Sequence, residues 1–211
     1  MRTLLFTRGN NITPFSGLTL PTGQIGNVGL FRFTKSDPQV SLQNGATFTT
    51  LEFITATGAA AVENNLDILY FSNEQDCSVS GYRLDTAAGT LSLFQTITTL
   101  PEGYTERNTC SQIQVSASGK FLYAPNRGHN SIACASVDAS TGQLTATGRV
   151  ASEPIPNALS LDPQDKFLSS AGQESGRMAS FSVNPDSGEL TPLETYPLGN
   201  RPAWVSITEL P

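Results

Sequence analysis

"SQIQVSASGKFLYAPNRGHNSIACASVDASTGQLTATGRV", residues 111–150, contains four short β-type runs separated by turns. "SQIQVS" alternates apolar and polar residues, "FLYAPN" is a continuous apolar run, "SIACASV" alternates again and "LTATGRV" closes the unit. "ASGK" and "DASTGQ" carry glycines that supply the positive φ such turns require. Strands this short, joined this tightly, form an antiparallel meander.

The same unit recurs on both sides. "DTAAGTL" at Asp85, "DASTGQL" at Asp138 and "NPDSGEL" at Asn184 share an Asp or Asn, three residues, Gly, one residue and Leu. Gly89, Gly142 and Gly188 are spaced by 53 and 46 residues, as are Glu74, Arg127 and Gln173, which end "ILYFSNE", "FLYAPNR" and "FLSSAGQ". A four-stranded meander repeated every 40–50 residues or so is the pattern of a propeller blade. Tyr70 and Tyr123 occupy matching strand positions and are read as core residues. No stretch carries a helical period with caps.

The chain ends suggest how the ring closes. "RPAWVSI", from Arg201, reads as the first strand of a blade with no later strands, and Trp204 as a buried aromatic holding that strand. "TLLFTRG" at Thr3, "VGLFRFT" at Val28 and "TFTTLEFI" at Thr47 read as three strands lacking a first. Residues 10–27 form a Gly/Pro/Thr-rich loop between two of them. Pairing the C-terminal strand with the N-terminal three gives an all-β propeller of four-stranded antiparallel blades, about four in number, as one domain over residues 1–211. Association of two chains into a larger ring is the alternative.

Composition excludes several classes. With 38% hydrophobic and 14% charged residues, 18 Gly and 13 Pro, the chain is globular and turn-rich rather than disordered. A net charge of -6 gives no footprint for nucleic acid or an anionic membrane. Cys77, Cys110 and Cys134 match neither a disulfide framework nor a zinc motif, and one histidine leaves too few ligands for a metal site. The N-terminal apolar run is too short for a signal segment, so a cytoplasmic protein is expected.

The stretches "YFSNEQDCSVSGYRLDTAAGTL", "LPEGYTERNTCSQIQVSASGKFLYAPNRGHNSI", "AGQESGRMASFSVNPDSGEL" and "RPAWVSI" resemble the lactonase family of β-propellers, which includes bacterial phosphogluconolactonases and fungal carboxymuconate-lactonizing enzymes. The resemblance covers roughly residues 60–211 well and the first sixty loosely. Family members have seven blades, and this chain has room for about four. The family pattern A-E-I-H reads here Ser111, Gln112, Ile113, Gln114, and the family's Pro-Arg reads Pro156, Asn157. Glu74 and Arg127 stand at matching positions.

The resemblance implies cofactor-free hydrolysis or formation of a small carboxylated or phosphorylated lactone. Such chemistry needs a proton acceptor near the attacking oxygen and a cation where carbonyl charge develops. Glu74 as base and Arg127 as clamp divide those roles, with His129, Gln114, Gln173 and Asn157 as substrate-binding residues. The partner is then a small lactone or sugar acid, with no nucleic acid or membrane, and the protein a monomer or homodimer. Two alternatives stand beside this reading: the Glu74–Arg127 pair as an ion pair between blades, and a non-catalytic propeller serving as a ligand-binding or interaction scaffold.

Overall fold

The computed structural model describes residues 4–5, 31–34, 37–42, 51–52, 68–85 and 90–207. Every regular element among them is a β-strand, and every strand pairing is antiparallel. β1 (Leu4–Leu5), β2 (Phe31–Thr34) and β3 (Asp37–Leu42) form a first sheet. β4 (Leu51–Glu52), β5 (Ile68–Asn73), β6 (Ser78–Asp85) and β7 (Thr90–Thr98) form a second. β8 (Gln114–Val115), β9 (Phe121–Asn126), β10 (Ser131–Val137) and β11 (Leu144–Ala151) form a third. β12 (Pro156–Leu161), β13 (Phe167–Gly172), β14 (Arg177–Val183) and β15 (Leu190–Pro197) form a fourth.

The core lies between the sheets. Tyr70, Val79, Ile113, Leu122, Ala124 and Leu144 pack the second sheet against the third. Phe121, Tyr123, Ile132, Leu159, Leu168 and Phe181 pack the third against the fourth. Strand β9 therefore buries alternate side chains on both faces, which explains why "FLYAPN" has no polar alternation. The outer strands β11 and β15 face solvent along most of their length, and their sequences are correspondingly polar.

The repeated turns act as joints. Asp138 Oδ1 accepts the backbone N–H groups of Ser140 (3.0 Å) and Thr141 (2.7 Å), and Asn184 Oδ1 accepts those of Asp186 (2.9 Å) and Ser187 (3.0 Å). Each turn then presents a glycine to the sheet before it. Tyr70 donates its hydroxyl to Gly142 O at 2.5 Å, and Tyr123 donates to Gly188 O at 2.9 Å. The two glycines have φ of 72° and 71°, and a Cβ on them would lie 2.0 Å from Ile68 Cδ1 and 2.3 Å from Phe121 Cδ1. Only glycine satisfies both the handedness and the space. The corresponding turn around Gly89 lies outside the described residues.

A second joint recurs nearer the first strands. Leu161 N donates to Gln114 Oε1 at 2.7 Å, and Ile207 N donates to Ser160 Oγ at 3.0 Å, each across 47 residues. Ile207 thus meets the first strand of the fourth sheet as Leu161 meets the first strand of the third.

Three expectations need correction. Asp37–Leu42 supplies the third strand of the first sheet, pairing with β2, whereas Leu51–Glu52, the described part of "TFTTLEFI", pairs with β5 in the second. The Pro38-containing segment takes a sheet edge, where a missing N–H is tolerated. "SQIQVS" forms a regular strand only at Gln114–Val115, preceded by an isolated bridge from Cys110 to Asn126. Trp204 is 69% exposed rather than buried, and residues 202–207 form no ladder. The loop of residues 10–27 lies outside the described residues.

Candidate functional site

In a meander, the turn between the second and third strands and the connection to the next sheet lie at the same end. Here that end gathers the turns 74–77, 127–130 and 173–176 and the connections 99–113 and 152–155. Glu74, Arg127 and Gln173 each follow directly after the second strand of their sheet, so the repeat places them on one rim.

Arg127 links three sheets. Its Nη2 lies 2.5 Å from Glu74 Oε1 and 2.6 Å from Cys110 O, and its Nη1 donates to Asn157 Oδ1 at 3.4 Å. The Glu74 and Arg127 side chains are only 10% and 16% exposed. Burial of both partners weakens solvent screening of their charges. A carboxylate and a guanidinium so placed are able to accept a proton and to hold a developing oxyanion within one reach. They are equally able to serve as an ion pair between sheets.

The other sequence candidates divide. Asn157, on β12, joins the pair through Arg127. His129 sits two residues beyond Arg127, with Nδ1 2.7 Å from Ser131 Oγ and its ring edge-on to Tyr104, centroids 5.0 Å apart. Gln173 donates its backbone N–H to Ile155 O at 2.9 Å on the same rim. Gln114 commits its carbonyl oxygen to Leu161 N, between the sheets.

Several participants had no advance signal in the sequence. The Cys110 carbonyl anchors Arg127, yet a backbone acceptor leaves no residue-type signature. Cys110 itself is completely buried, and burial pushes its thiol up to about 12, so it is no nucleophile near neutral pH. Burial raises Cys134 to about 12 as well. Asn108 accepts the backbone N–H groups of Gly128 (2.7 Å) and His129 (2.9 Å), fastening the 127–130 turn to the 99–113 connection. Tyr104 and Asn108 lie within "LPEGYTERN", which belongs to a stretch that carries the resemblance, and that is the one available pointer to them. Among the described residues, no group of three or more His, Cys, Asp or Glu is placed to hold a metal ion, and no helix is long and apolar enough to cross a membrane.

Comparison with known proteins gives a consistent picture. Residues 25–207 match the lactonase family, described as a 7-bladed β-propeller. A 6-phosphogluconolactonase of Pectobacterium carotovorum is 33% identical over 75% of this chain and 49% of its own length. A 6-phosphogluconolactonase of Serratia proteamaculans is 31% identical over 80% of this chain and 52% of its own. The chain thus spans about half the length of the curated relatives it matches. Among solved structures, a protein from Lactobacillus plantarum aligns with a TM-score of 0.71 and 23% identity, covering 85% of this chain and 52% of that one. A periplasmic gluconolactonase of Pseudomonas aeruginosa aligns with a TM-score of 0.65 and 23% identity, covering 83% and 49%.

Proposed function

Because the chain belongs to the lactonase family of 7-bladed β-propellers, we propose that it hydrolyses, or in reverse forms, a small carboxylated or phosphorylated lactone without a cofactor. The observation that carries this reading is the buried Glu74–Arg127 contact at 2.5 Å on the rim where the turns converge. Glu74 takes a proton from the attacking water as its oxygen bonds to the lactone carbonyl carbon. Arg127 holds the negative charge that develops on the carbonyl oxygen, and the proton on Glu74 passes to the ring oxygen as the C–O bond breaks. The products are a hydroxy acid and a regenerated carboxylate.

Asn157 and His129 flank the ligand, with Gln173 on the same rim. Gln114 contributes its amide NH₂, since its carbonyl oxygen holds Leu161. The proposal includes a cytoplasmic location, a small-molecule partner and a single domain. It also includes a ring of about four blades in which residues 201–207 complete the sheet of β1, β2 and β3. The bond from Ile207 N to Ser160 Oγ supports that closure, because it repeats the joint between the third and fourth sheets.

A second reading draws on the same atoms. Arg127, which follows a strand of the third sheet, contacts Glu74 of the second, Asn157 of the fourth and Cys110 O in the connection between the second and third, which is also how a structural staple is built. On that reading the propeller is a non-catalytic scaffold. Hydrolysis of a panel of sugar-acid lactones by wild type and Glu74→Gln separates the two: catalysis requires turnover above background and its loss in the variant.

A further inference from the structure

We propose that Asn108 is a positioning residue for the Glu74–Arg127 pair, holding both of the turns that carry them; this rests on the reading of that pair as the working site. Its Oδ1 accepts the N–H of Gly128 at 2.7 Å and of His129 at 2.9 Å, the two residues following Arg127. Its Nδ2 donates to Cys77 Sγ at 3.2 Å and to Asn126 Oδ1 at 3.0 Å. Cys77 closes the turn that Glu74 opens, and Asn126 ends the strand that delivers Arg127. One side chain therefore binds the residues on both sides of Arg127 and the turn of its partner.

The orientation of the amide is dictated by these partners. A reversed side chain would set its NH₂ against two backbone N–H donors and its oxygen against Asn126 Oδ1. The backbone leaves no slack either: a Cβ on Gly128 would lie 2.1 Å from Arg107 O and 2.9 Å from Asn108 Cα. The 127–130 turn is pressed against the 99–113 connection and held there by the asparagine. Asn126 is also tied beneath it, with Oδ1 2.7 Å from Thr99 Oγ1 and Nδ2 donating to Thr99 O at 3.0 Å. Asparagine fits the task because it is short and carries both an acceptor and a donor, whereas alanine offers neither.

Displacing a positioned group by about 1 Å costs on the order of 100-fold in rate. We expect Asn108→Ala in the full chain to lower kcat on the lactone panel by roughly 10- to 100-fold while KM changes less than about threefold. Gly128→Ala, which wedges the turn away with Asn108 intact, should do the same, and it carries the test alone if Asn108→Ala does not fold. In a Glu74→Gln background, Asn108→Ala should add almost nothing, since it acts through the pair. A folded variant of either kind with kcat within about twofold of wild type overturns the proposal, as does a loss that multiplies with that of Glu74→Gln. If the wild-type protein turns over no lactone, the proposed function fails and NMR decides the positioning role separately. Asn108→Ala should then move the Arg127 Nε–H resonance and deprotect the Gly128 and His129 amides, and an unmoved Arg127 resonance overturns it.

Discussion

Tyr123 donates its hydroxyl to the carbonyl of Gly188, 65 residues further along the chain, at 2.9 Å and with no exposure to solvent. Tyr70 and Gly142 repeat the contact one sheet earlier. What recurs in the sequence as a tyrosine and a glycine is a single joint between successive sheets. Tyr123→Phe should lower the unfolding free energy by about 1–3 kcal/mol, because the carbonyl loses its donor in a buried place. Gly188→Ala should cost about 1–2 kcal/mol for its left-handed backbone. It should cost a further 1–3 kcal/mol or so for crowding the Phe121 ring. Urea denaturation of the three proteins checks both values, and an alanine as stable as wild type would show that the joint is not under the constraint described.

Ring closure makes a prediction about size. If residues 201–207 complete the sheet of β1, β2 and β3 in one chain, the protein should be a monomer with a radius of gyration of about 17 Å. Small-angle scattering joined to analytical ultracentrifugation measures both quantities. A dimer would move the closure from within one chain to between two.

The Asp138 turn predicts a pH dependence. Hydrogen bonds from the Ser140 and Thr141 side chains, followed by their backbone N–H groups, lower its carboxyl to about 2. In the unfolded chain an aspartate titrates near about 3.9. A depressed folded value means that the carboxylate's contribution is fully present above about 4 and is lost as pH falls toward 2. Asp138→Asn, which keeps an acceptor but removes the charge, should therefore melt below wild type at pH 6 and converge with it near pH 2. Thermal melts across that range would show a constant difference if the turn were indifferent to the charge.

The sheets were legible because their determinants are local and repeated: strand period, Asx turns, and glycines where φ must be positive. The fourth sheet follows directly from "FLSSAGQ" and "NPDSGEL". The first sheet was harder, because "TFTTLEFI" and "DPQVSL" are both β-type by composition and only pairing partners distinguish them. Trp204 was misplaced for a related reason: an aromatic in a strand-like run suggests burial, but exposure depends on what lies across from it. At the site, the spacing that relates Glu74 to Arg127 pointed to a shared rim. The partners of Asn108 and of the Cys110 carbonyl were not readable, even though Asn108 lies in a stretch that carries the resemblance, because each acts across 17 to 31 residues through backbone or amide groups whose pairing no sequence pattern marks.

The most direct measurement of the central claim is steady-state hydrolysis of sugar-acid lactones by wild type and Glu74→Gln, with circular dichroism confirming that both are folded. Exchange of the carboxylate for an amide removes the proton acceptor but preserves the shape, so kcat should fall by about 100-fold or more. Equal rates in the two proteins, or a wild type no faster than the uncatalysed reaction, would contradict the account and leave Glu74 and Arg127 as a staple between sheets.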